Sequence, residues 1–97
     1  MAAALKLLED GDIAAAEPLL AQALAQARTA GDPLAVATCQ FYLGQVALML
    51  DRPADAVAAA REALELATQI GNTDLIHAAQ QILTVATRAV QAIEPNS

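Results

Sequence analysis

The sequence predicts an all-α fold of about five helices stacked as antiparallel pairs, a fragment of an α-solenoid. Three observations predict it. The chain repeats itself at a period of 40 residues, turn residues cut it at matching places, and the segments between carry apolar residues at helical spacing. Offset by 40, Leu8 meets Leu48, Ala16 meets Ala56, Ala23 meets Ala63, Leu24 meets Leu64 and Gly31 meets Gly71. Asp32 meets Asn72, the same capping chemistry, and further along Gln40 meets Gln80 and Leu43 meets Leu83. Hydrophobic residues make up 57% of the 97, enough for a packed core, yet aromatics make up only 2% and there is no Trp. Alanine fills the gap, so the helices are thin and able to approach closely.

The first helix is predicted over about residues 2–10, ending at Gly11-Asp12, and the second over about 13–30. Gly31-Asp32-Pro33 then supplies a glycine past the helix end, a capping carboxylate and a proline at the first helical position, where a missing N–H is harmless. The third helix follows over about 33–50 and stops at Asp51-Arg52-Pro53, 40 residues after Gly11-Asp12. The fourth, about 53–70, places Val57, Ala60, Leu64 and Ala67 on one stripe, with Asp55, Arg61, Glu62 and Glu65 largely off it. Gly71-Asn72-Thr73 repeats the earlier cap and opens the fifth helix, about 73–93. There His77, Gln80, Gln81, Thr84, Arg88 and Gln91 form a polar stripe, and a wide apolar arc covers the remainder. Turns this short make neighbouring helices antiparallel. The whole chain, 1–97, is one domain with units at about 1–31, 32–71 and 72–94 and a tail at 95–97.

Eleven acidic against five basic residues leave a net charge of −6, and Lys6, Arg28, Arg52, Arg61 and Arg88 are scattered. A phosphate backbone meets no cationic patch, so nucleic acid is not expected as a partner, and an anionic membrane surface is disfavoured for the same reason. The most apolar stretch, Pro33 to Leu50, is interrupted by Gln40 and Gln45 and reads as a buried helix rather than a membrane span. Acids follow Leu8 and no basic segment precedes it, so the start does not read as a signal peptide. The single cysteine, Cys39, has no intramolecular disulfide partner and reads as a small buried hydrophobe, compatible with the cytoplasm.

Catalysis has little to work with. One His and one Cys form no nucleophile and base pair that spacing supports, and Asp74 with His77 falls short of a metal site, so no catalytic, cofactor or metal residue is expected. His77 reads as a helix-face histidine. Met1 and Met49 read as gap-fillers. Glu9, Asp10 and Asp12 read as a solvated turn in which Asp12 caps the following helix.

The segment FYLGQVALMLDRPADAVAAAREALELATQIGN resembles a tetratricopeptide repeat in its longer, 40-residue form. Leu43-Gly44 stand where the family places its Leu-Gly pair, Ala47 falls on the next inward position, and Ala56, Ala60 and Ala63 follow on the second helix. Gly44 and Ala56 are expected where two antiparallel helices cross most closely. Unit one keeps Gly11, Ala16, Leu20 and Ala23; unit three keeps Leu83 but has Thr84 in place of a second Gly44. Gln40 and Ala60 depart from the family's aromatic positions. HEAT-type helix pairs have similar periods and stand second, because the Leu-Gly-then-Ala spacing favours the tetratricopeptide form.

The resemblance implies a non-catalytic module that binds a peptide or helix of a partner protein, as similar repeats do in bacterial signalling and transcriptional regulators. In the family the first helix of each unit lines a concave groove, which here implies Thr38, Phe41, Gln45, Leu48 and Met49, then Ala78, Gln81, Val85 and Arg88. The same residues are equally suited to packing against a neighbouring repeat or subunit. The family's clamp for peptide C-termini uses several cations, and only Arg88 is present. The alternative is a self-associating module or a piece of a longer array. A wide apolar arc on a terminal helix needs covering, and Leu75, Ile82, Val85, Val90 and Ile93 would mediate a homodimer.

Overall fold

The computed structural model describes residues 2–93. Within that span the chain forms α1 (Ala2–Glu9), α2 (Ile13–Ala30), α3 (Pro33–Met49), α4 (Pro53–Ile70) and α5 (Thr73–Ile93). Each boundary falls within a residue of its expected place. Met1, the last residue of the third unit and the tail at 95–97 lie outside the described residues.

All four reversals use one device, at 20-residue intervals. Gly11, Gly31, Asp51 and Gly71 adopt positive φ of 80, 66, 60 and 71°. The residue after each donates its amide back across the last turn: Asp12 to Leu7 O at 2.8 Å, Asp32 to Ala27 O at 3.1 Å, Arg52 to Ala47 O at 2.7 Å and Asn72 to Ala67 O at 3.0 Å. These bonds satisfy carbonyls that the helix end orphans. Three of the four positions are glycine, and Asp51 is the exception that bears the left-handed cost. Asp51→Gly is therefore expected to stabilise the fold by up to about 1 kcal/mol, read as a raised urea midpoint; an unchanged or lowered midpoint would contradict this account of the turn.

The N-caps divide into two kinds. Asp32 Oδ1 accepts from Ala35 N at 3.2 Å and Asn72 Oδ1 from Leu75 N at 3.1 Å. Asp12, expected to cap α2, makes no such bond. Its ψ of 68° departs from the extended backbone, 95° at Asp32, that aims a capping side chain at the helix amides.

α3 lies at the centre, packed against α2, α4 and α5; α4 fits between α3 and α5, and α1 rests on α2. This explains why α3 carries no charged residue and buries Val36, Ala37, Cys39, Val46 and Ala47 in several directions at once. On α4 the fully buried residues are Ala56, Ala60, Ala63 and Ala67. Val57 and Leu64, expected on the buried stripe, are only half-buried. The face has rotated onto its smallest side chains because the partner helix comes so close. A Cβ added to Gly44 would lie 3.7 Å from Ala56 O and 3.8 Å from Ala59 Cβ, and the same position faces α5, with Ile82 Cγ2 at 3.1 Å. Larger side chains collect at the α1–α2–α3 junction, where Ala4, Leu20 and Val46 form a buried cluster under Leu8, Ile13, Tyr42 and Leu43. A second cluster, Ala47, Ala56 and Ala86, ties α3, α4 and α5 together.

Candidate interaction face

The expected face spans two helices that touch each other through Gly44 and Ile82. On α3, Phe41 and Gln45 are half-buried and Met49 is 60% exposed. Met49 is thus not the gap-filler that its residue type suggested: it sits exposed at the last position of α3. Thr38 is half-buried and its hydroxyl donates to Leu34 O at 2.8 Å, so that group serves its own helix. Leu48 packs against Ala47, Ala56 and Ala86, which makes it partly a core residue. The Phe41 ring is tilted 58° against Tyr42, centroids 5.1 Å apart, and Tyr42 in turn rests on the Leu20 cluster.

On α5, Gln81 and Arg88 are exposed, Ala78 is half-buried, and Val85 is 55% exposed. Gln81 and Val85 border an open depression of about 670 Å³ together with His77, Gln80 and Thr84. Sequence reasoning left out Leu34, 48% exposed and one turn ahead of Thr38. Its spacing of four, seven and eleven residues from Thr38, Phe41 and Gln45 was the available signal.

The residues expected to mediate a homodimer are placed differently. Leu75, Ile82 and Val90 are half-buried, Ile82 beside Gly44, and the side chain of Ile93 lies outside the described residues. The apolar arc of α5 is folded inward, with Ala79 and Ala86 fully buried, and every residue of the polar stripe is exposed. Among the described side chains of that arc, only Val85 remains substantially outside. The arc looked wide because α5 packs on two helices, α4 and α3, rather than one.

Charge is concentrated away from α3. Arg28 makes a bidentate pair with Glu62, at 2.6 and 2.8 Å, and Gln40 also donates to Glu62 Oε1. Arg52 pairs with Glu17 through one nitrogen, Nη1, which donates to both carboxylate oxygens at 3.0 and 3.1 Å. The hydrogen bonds from Arg28 hold the Glu62 carboxyl below its ordinary range against a smaller opposing effect of burial. A carboxyl depressed in the folded state adds stability above its unfolded pKa, which is lost as pH falls through the folded one. Glu62→Gln is therefore expected to destabilise at neutral pH and to match the parent chain in strong acid. Equal stability of the two at neutral pH would remove the pair from the account.

Cys39 is 1% exposed, and burial pushes its thiol pKa up, so it behaves as a small hydrophobe. Among the described residues no three His, Cys, Asp or Glu side chains converge as metal ligands, and no helix is long and apolar enough to cross a membrane.

A run of helical hairpins, each packed on the next, defines a class: repeat proteins built from stacked antiparallel pairs. Within that class, the tetratricopeptide repeat family matches residues 2–69, and the chain belongs to it. The match covers α1 to α4, so the assignment rests on the two units that carry Gly11, Gly44 and the buried alanines. No curated protein and no solved structure matches the chain.

Proposed function

We propose that the chain is a non-catalytic protein-interaction module that receives a peptide or helix of a partner on the outer faces of α3 and α5. One observation carries this reading: Met49 and Val85, at 60% and 55%, are the most exposed large apolar side chains described, and both stand on the expected face. Around them Phe41, Gln45 and Gln81 offer an uncharged surface, and Arg88 offers one cation for an acidic group of the ligand. A reducing compartment such as the cytoplasm suits the unpaired thiol of Cys39.

Selection of helical peptides on the immobilised chain is expected to yield ligands whose affinity falls about tenfold or more on Val85→Lys or Met49→Lys. Both residues are exposed, so melting temperature should hold. Ligands indifferent to both changes would overturn this placement of the site.

Self-association has narrower support, since Val85 is the one exposed apolar residue among the described side chains of the set assigned to it. Light scattering decides it: a mass doubled in the parent chain and halved by Val85→Lys would make a second copy the main partner.

A further inference from the structure

We propose that the furrow between α2 and α4, floored by α3 and lined by none of the residues of the peptide face, is a second docking surface that takes a lysine- or arginine-bearing segment of a partner protein. No Cα of α2 comes within 8 Å of one on α4, although both helices pack on α3. The space left is a cavity of about 360 Å³. Its apolar lining is Leu43 and Ala47 of α3 with Ala58 and Ala59 of α4, and its acidic lining is Glu17, Asp55 and Glu62. Short alanines are the reason the furrow stays open: nothing on α4 at those positions reaches across to α2.

The chain itself shows which chemistry the acidic lining accepts. Arg52 and Arg28 each lay a guanidinium on one furrow carboxylate with two hydrogen bonds, to Glu17 and to Glu62. Asp55 is exposed and in no ion pair among the described residues, which leaves one carboxylate at the cavity for a cation from outside. A Lys or Arg stem is apolar along its length and charged at its tip, the pattern of alanine lining and acidic edge found here. The net charge of −6 draws such a segment in, and salt screens that attraction.

The test is an anisotropy titration of the full chain with a fluorescein-labelled peptide of alternating lysine and alanine, beside its glutamate counterpart. Saturable binding of the lysine peptide alone is expected at low salt. Asp55→Asn should weaken it about two- to fivefold, the range of one exposed ion pair. Ala58→Leu, at an exposed position that fills the cavity, should weaken it as well, whereas Asp74→Asn, which removes the same charge from α5, and Val85→Ser should leave it unchanged. Absence of saturable binding would overturn the proposal. So would an effect of Asp74→Asn equal to that of Asp55→Asn, which means diffuse attraction, or a loss on Val85→Ser, which means the peptide sits on the other face.

Discussion

Gly44→Val is expected to destabilise the chain by about 2–3 kcal/mol, the usual cost of forcing methyl groups into a filled interior. The site admits no side chain without movement. Even a bare Cβ would stand 3.1 Å from Ile82 Cγ2, tighter than ordinary contact, and Ile82 is β-branched, so its methyl has no cheap alternative rotamer. The other neighbours, Ala56 O at 3.7 Å and Ala59 Cβ at 3.8 Å, are at normal distances, which makes Ile82 the specific obstacle. A double-mutant cycle isolates it. Gly44→Ala alone gains up to about 1 kcal/mol of helix propensity and loses it to the contact; on an Ile82→Ala background the contact is gone and the gain should appear. If Gly44→Ala has the same effect on both backgrounds, α3 and α5 are not packed as described.

Leu20→Ala is expected to cost about 3 kcal/mol, the removed transfer energy plus the cavity left behind. Leu20 is fully buried and, with Val46 and Cys39, is among the largest fully buried side chains in a core made mostly of alanine. Its surroundings are the Ala4 and Val46 contacts under Leu8, Ile13, Tyr42 and Leu43. A domain of this size is stable by about 5–15 kcal/mol in all, so the loss is a substantial share. It should show first in α1, eight residues long and packed backbone to backbone only on α2, because a helix that short does not persist alone. Hydrogen exchange in α1 should accelerate more than in α4. A cost under about 1 kcal/mol, with α1 protected as before, would place the larger side chains elsewhere.

The exposure of the candidate face was partly legible. Met49 and Val85 were named by carrying the family's groove register onto this sequence, and the structure leaves both exposed. Leu48 and Thr38 were named by the same register but are committed elsewhere, Leu48 to the Ala56 cluster and Thr38 to the Leu34 carbonyl. Register tells which helical face a residue shares and not how deep its neighbours bury it. The furrow between α2 and α4 had no sequence signal at all, since its ion pairs join residues 34 and 35 positions apart.

By itself the sequence determined where the helices begin and end. Helix termination is local chemistry: a residue able to hold positive φ, an amide bonded back across one turn, and a proline or a short polar side chain next to it act within four or five residues. Tertiary structure decided everything that depends on how close two helices come. It turned α4 onto Ala56, Ala60, Ala63 and Ala67, folded the apolar arc of α5 inward and held α2 away from α4. Those outcomes follow from packing against several partners at once, and α3, uncharged and covered on three sides, is where the linear pattern says least and the contacts say most.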